Sequence, residues 1–169
     1  MVAVRSAHLK PSETFELDNW ISSLEQDSKT SKKLTDVYKQ CESLLGDVEN
    51  GNLLLWRGRE MIEILITLSM DKPTLVAAQL FPIVSSGLFE RQQLEEAYGK
   101  EIVKLIDGVD EMAAIGQLNV TYENAEGSGQ VDNVRRMLLA MVDDFRCVII
   151  KLAERICNLR EVKDEPDAV

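Results

Sequence analysis

An all-α fold is what this sequence predicts, and three observations predict it. Apolar residues recur three and four positions apart along nearly the whole chain. The period-two alternation of a half-buried strand is almost absent. Aromatic residues, which favour strands, make up only 5%. With 169 residues and 45% apolar content, the chain is long enough for one domain with a real core. The expected architecture is a compact bundle of short and medium helices, not an up-down four-helix bundle.

Residues 1–27 read as an N-terminal extension with a short helix. Ser31–Gly46 places Leu34, Val37, Tyr38, Cys41, Leu44 and Leu45 on one face, with Gly46 as the stop. Leu53–Met70 is apolar on nearly all sides and predicts the central buried helix. Asp71-Lys72-Pro73 is a helix start, with a capping residue followed by a first-turn proline, and that helix runs to about Ser86. Pro82 lies inside it. The missing N–H and the ring against the Ala78 carbonyl cost roughly 3 kcal/mol in a straight helix, so a kink or early end is expected near Gln79–Pro82. Glu90–Tyr98 is a shorter amphipathic helix. Lys100–Val109 and Glu111–Leu118 follow as two helices broken at Asp107-Gly108. Asn119–Gly129 lacks apolar periodicity and reads as an exposed loop. Val131–Val142 and Asp144–Val162 are helical again, the last with Phe145, Val148, Ile149, Leu152, Ile156 and Leu159 as a stripe. Lys163–Val169 is a polar tail.

The composition excludes several functions. A net charge of −10 makes a poor nucleic-acid binder. The longest apolar stretch is interrupted by Arg57, Arg59, Glu60 and Glu63, so no membrane span is expected. Met1–Lys10 has no apolar core of a signal peptide, which makes the cytoplasm the expected location. Cys41, Cys147 and Cys157 are odd in number and form no CxxC, so buried free thiols are expected. His8 is the single histidine. A serine or cysteine nucleophile would lack its imidazole base, and neither GxxxxGK[ST] nor GxGxxG occurs.

Four ordered segments carry a resemblance. LLLWRGREMIEILITLSMDKPTLVAAQLFP (Leu53–Pro82), LIDGVDEM (Leu105–Met112), VDNVRRMLLAMV (Val131–Val142) and DFRCVIIKLAERICNLREV (Asp144–Val162) are similar to the hydrolase-type domain of the RelA/SpoT homologues, a branch of the HD phosphohydrolases. KLAERICNLR resembles that family's KLADRxHNMR helix, and LIDGV its LVxGVxK turn. MVAVRSAH resembles the start of the gamma-proteobacterial RelA-type synthetases. The resemblance implies an HD-domain-like bundle over 28–162, truncated at its C-terminal end, because family members continue with further helices. Synthetase and regulatory domains would lie outside this chain.

In active relatives a manganese ion is held by an early histidine, a His-Asp pair and a late aspartate, while a Glu-Asp pair helps activate water. The ion lowers the pKa of water and holds the pyrophosphate being cleaved. Carried over by the resemblance, the early histidine falls at Arg57, the His-Asp pair at Phe81-Pro82, the Glu-Asp pair at Ser85-Ser86 and the late aspartate at Glu154; Asn158 keeps the helix's asparagine and Cys157 replaces the histidine before it. A cation at Arg57 repels a metal, Phe81 and Pro82 offer no side-chain donor, and serines are no general base at neutral pH. The expectation is therefore a hydrolase-like domain with no catalytic residues, no metal and no cofactor, manganese binding being lost. Trp-Arg-Gly and Phe-Pro are what the synthetase-only RelA-type members resemble here.

For partners, the resemblance implies a (p)ppGpp synthetase domain in cis, the ribosome and uncharged tRNA through other domains, and (p)ppGpp itself. Lys151, Arg155 and Asn158 are the candidates for a relic nucleotide pocket, with ion pairing the competing reading. Arg135-Arg136 and Arg160 share that ambiguity. The expected role is regulation of the synthetase; the alternatives are residual metal-dependent (p)ppGpp 3′-pyrophosphohydrolase activity and a non-hydrolytic (p)ppGpp-binding allosteric module. An exposed apolar stripe on the last helix would favour homodimers. Glu60, Glu63, Asp143 and Asp144 could be read as a carboxylate metal cluster, but that chemistry needs Glu-x-x-His pairs. Ion pairing with Arg57, Arg59 or Arg146 is the plainer expectation.

Overall fold

The computed structural model describes residues 15–122, 132, 135 and 143–164. Among them are seven helices and no strand. In chain order they are α1 (Leu17–Ser23), α2 (Ser28–Leu45), α3 (Gly51–Thr67), α4 (Lys72–Ser85), α5 (Arg91–Tyr98), α6 (Lys100–Tyr122) and α7 (Phe145–Asp164). The all-α expectation holds. The expected helix over Val131–Val142 falls largely outside the described residues, as do His8, Arg136 and the tail beyond Asp164. No helix among the described residues is long and apolar enough to cross a membrane.

Local chemistry sets the boundaries. Asp27 caps α2 by accepting from the amides of Lys29 and Thr30, and Asp71 caps α4 by accepting from the Thr74 amide. Each satisfies amides that the first turn leaves without partners. Gly99 separates α5 from α6 at φ 88°, a backbone region that side chains disfavour.

The core centres on α4. Ten consecutive residues, Thr74 through Ile83, are buried. They pack against α2, α3, α6 and α7, while α3 and α7 also touch each other. Burial on all sides explains why this helix is apolar all round. Of the two helices, α4 is the more enclosed, but α3, expected to be central, is also buried on all sides in its middle, where Gly58 through Ile62 are consecutive buried residues.

Three expectations need correction. Of the kink or early end expected at Pro82, the early end does not occur: α4 runs on to Ser85. The proline sits in the last turn, where only one ladder bond is forfeited, and the Ser86 hydroxyl and the Gly87 amide cover the carbonyls of Ile83 and Val84 beyond it. Asp107-Gly108 does not break a helix either, and Lys100–Tyr122 is continuous. Gly108 instead permits close packing, since a Cβ there would lie 2.5 Å from Cys147 Sγ. The Cys147 thiol donates to the Leu105 carbonyl at 3.6 Å, tying α7 to α6. Finally, Asn119 to Tyr122 belong to α6 rather than to the loop expected from Asn119; 123–129 lie outside the described residues. All three cysteines are free and buried, as expected.

One guanidinium gathers three helix starts. Arg146 on α7 donates to Asp71 before α4 (2.9 Å), Glu101 on α6 (3.0 Å) and Asp144 before α7 (2.6 Å). Its hydrogen bonds hold the Asp144 carboxyl below the usual carboxylate range. The carboxylates also face the positive ends of the helix dipoles. Arg146→Met should therefore cost about 1–2 kcal/mol, more than a lone surface pair. The loss should shrink in high salt, which screens the half-exposed carboxylates. Urea melts at two ionic strengths check this, and a variant as stable as the parent would contradict it.

Candidate functional site

A cavity of about 210 Å³ opens where α3, α4 and α7 meet. Leu54, Arg57 and Met61 line it from α3; Phe81, Pro82 and Ser85 from α4, with Ser86 just beyond; and Glu154, Cys157 and Asn158 from α7. The helical repeat explains the selection: residues three and four apart share a face. Arg57, Phe81, Pro82, Ser85, Ser86 and Glu154 were singled out from three distant parts of the chain, and they line one cavity.

The strongest interaction there is one that the sequence reading missed. Arg57 donates through Nε and Nη2 to the two carboxylate oxygens of Glu161, each at 2.7 Å. This fork-to-fork geometry is the strong form of an arginine–carboxylate pair. The Glu161 hydrogen bonds raise the Arg57 pKa further above its already high value, so the group stays a cation at any ordinary pH. A signal for Glu161 did exist. It lies four residues after Cys157 and seven after Glu154, on the same helical face.

Glu154, the only carboxylate lining the cavity among the described residues, pairs with Lys151. The Lys151 ammonium also lies 5.9 Å from the centre of the Phe81 ring. Burial pushes the Cys157 thiol far above the ordinary cysteine range, and the nearby Glu60 charge adds to it, so no thiolate is available at neutral pH. Of the nucleotide-pocket candidates, Asn158 lines the cavity, whereas Lys151 and Arg155 do not. Arg155 is exposed.

The donor set does not fit a manganese ion. A divalent metal of this kind needs several oxygen or imidazole ligands aimed at one point. From the described residues the cavity gains one carboxylate already paired to a lysine, two hydroxyls, an amide, a protonated thiol and a guanidinium. Among the described residues, no group of three or more His, Cys, Asp or Glu is placed to hold a metal.

Of the carboxylates expected to pair with Arg57, Arg59 or Arg146, Asp144 does pair with Arg146, whereas the partners of Glu60 and Glu63 need correction. Glu60 is buried and faces Arg160, with Oε1 3.9 Å from Nη1. Glu63 accepts from the Trp20 indole at 2.9 Å. Their expected partners are engaged elsewhere: Arg57 with Glu161, Arg146 with its three carboxylates, and Arg59 buried with its guanidinium 3.7 Å from the Phe15 ring centre.

Comparison with known proteins identifies the family. The HD domain family matches residues 25–169. The chain is 59% identical over its whole length to a GTP pyrophosphokinase of Photobacterium angustum, covering 23% of that protein. It is 54% identical over 99% of its length to the GTP pyrophosphokinase of Escherichia coli K12, again covering 23%. A guanosine-3′,5′-bis(diphosphate) 3′-pyrophosphohydrolase of Haemophilus influenzae is 33% identical over 57% of the chain and 13% of that protein. The chain thus spans about a quarter of the length of the pyrophosphokinases it matches.

Proposed function

The chain belongs to the HD domain family, and on that premise we propose that it is a hydrolase-like regulatory domain of a GTP pyrophosphokinase, without hydrolysis of its own. The parent enzyme would make (p)ppGpp from ATP and GTP or GDP in the cytoplasm, answering to ribosomes and uncharged tRNA through other domains. The observation that carries the reading is the Arg57–Glu161 pair. It fixes a permanent cation in the wall where the resemblance puts a metal ligand, and it gives that cation an internal counter-charge. The domain's influence on the synthetase would come from packing in cis, by favouring one arrangement of the two domains over another.

Cavity size speaks against a nucleotide seated inside. Pockets that enclose a drug-sized ligand run to about 300–1,000 Å³, and this one holds about 210 Å³. The likeness to the 3′-pyrophosphohydrolase keeps residual hydrolysis as the second reading. Two measurements separate the readings. The purified chain with ppGpp and manganese should release no pyrophosphate; release abolished by Glu154→Ala would establish the hydrolase reading instead. Deleting this domain from the full-length protein should change basal or ribosome-stimulated (p)ppGpp synthesis, and unchanged rates in both would remove the regulatory reading.

A further inference from the structure

The first helix, α1, has only seven residues, far too few to persist by itself in water, and no side chain caps its start. Its hold on the domain is therefore tertiary. Among the described helices it packs directly against α2 alone, and side chains tie it to α3. Trp20, Ile21 and Leu24 are buried. The Trp20 indole donates to Glu63 at 2.9 Å. Phe15, just before the helix, covers Arg59, with the guanidinium carbon 3.7 Å from the ring centre. Phe15 in turn packs on Trp20 and on Tyr38 of α2, at 6.0 and 5.4 Å between ring centres. The link to α2 turns at Glu25, which holds φ 51°, a left-handed conformation that side chains disfavour. Asp27 caps α2 immediately afterwards, so the bend is confined to Glu25 and Gln26.

What lies under this short helix opposes its docking. Arg59 is 8% exposed, and its Nε and Nη1 find no acceptor among the described residues. Burial lowers its pKa below the usual guanidinium value, although Tyr38, Glu63 and Glu60 act the other way. The nearby carboxylates are engaged elsewhere: Glu63 accepts from Trp20, and Glu60 faces Arg160. The docked state thus holds a cation that water would solvate better. The Phe15 ring face returns part of that loss, but two unmade hydrogen bonds of a charged group cost more than one ring supplies. Apolar burial and one indole bond close α1 onto α2 and α3; a desolvated charge and a left-handed link work to open it.

We propose that Phe15 and α1 form a hinged strap that opens while the bundle stays folded, with the Arg59 charge working against its closure. Opening returns the guanidinium to water. Arg59 and Glu63, the strap's partners, share α3 with the cavity-lining Leu54, Arg57 and Met61; the inference itself does not depend on the hydrolytic state of the cavity. Amide hydrogen exchange, read residue by residue, tests it. In the parent, the amides of Ile21–Leu24 should exchange more than about tenfold faster than those of Leu75–Phe81, the signature of a local opening. Phe15→Ala should speed the α1 amides about tenfold further, the scale of a lost aromatic contact. Arg59→Met keeps the bulk, removes the charge and should slow them about threefold, the surplus of two unmade bonds over one ring face. A cation that merely clamped the strap would give the opposite sign. Phenylglyoxal labelling of Arg59, read by mass spectrometry, should rise in Phe15→Ala together with exchange, while labelling of Arg160 stays unchanged. Unchanged or faster α1 exchange in Arg59→Met, no response to Phe15→Ala, or α1 amides exchanging only at the rate of α4 would overturn the proposal. So would α4 protection that falls with that of α1 in either variant, since the strap would then open only with the whole domain.

Discussion

Gly58→Val is expected to lower the melting temperature by roughly 6–12 °C, which for a chain of this length corresponds to about 3 kcal/mol. Gly58 is buried on α3, where α3 meets α4. A Cβ at this position would lie 2.6 Å from Gln79 Nε2 and 3.0 Å from the Gln79 carbonyl oxygen. The side-chain amide can turn aside, but the carbonyl is backbone in the most enclosed helix, so the two helices must separate. Valine's extra carbons enlarge the misfit. Gly58→Ala should lose less, because alanine's helix propensity returns about 1 kcal/mol. Adding Gln79→Ala to Gly58→Ala should relieve only the side-chain part of the clash. Thermal melts of the three variants test this order; a Gly58→Val protein that melts with its parent would mean that the helices do not meet there.

Arg160→Ala should cost on the order of 2–3 kcal/mol at pH 8, because it leaves the Glu60 carboxylate buried without its cation. Glu60 is 4% exposed, and its Oε2 has no hydrogen-bond partner among the described residues. Burial raises its pKa above the ordinary glutamate value, while Arg160 opposes the shift. The sign follows from linkage. A carboxyl whose folded pKa is raised favours the folded state most when protonated, below its unfolded pKa, and that contribution is lost as pH rises through the folded value. Without Arg160 the folded pKa climbs further. The deficit of Arg160→Ala should therefore be largest in alkali and shrink as pH falls toward the ordinary glutamate range near about 4.3. In a Glu60→Gln background the same substitution should cost little at any pH. Urea melts at pH 5 and pH 8 distinguish this from simple lost packing, which would be equally large at both.

Helices were legible in the sequence wherever one face alternates with solvent. Asp71 and Pro73 marked the start of α4, and the stripe from Phe145 marked α7, because capping and periodicity are local properties. Gly108 misled for a physical reason. A glycine inside a helical pattern can mean a break or a close approach, and only the position of Cys147, 39 residues on, decides which. Pro82 misled in a related way, since its penalty was set against a helix interior and it occupies a last turn whose carbonyls find other donors. The cavity's polar and proline-bearing wall could be anticipated because the resemblance nominated those positions, whereas Leu54 and Met61 carried no such signal. The electrostatics could not be anticipated, since Arg57–Glu161, Arg160–Glu60 and Trp20–Glu63 join side chains distant in sequence. Periodicity says which face a side chain occupies, not what waits opposite it.

The position of α4 has a mechanical consequence. This helix forms one wall of the cavity, and its remaining sides bear on α2 and α6. A close-packed interior transmits displacement instead of absorbing it. Whatever wedges the cavity wider, or squeezes it shut, must push α4 as a rod against helices on the far side of the domain. The cavity wall is thus also a lever arm, and motion at one surface of the bundle has a rigid route to the other.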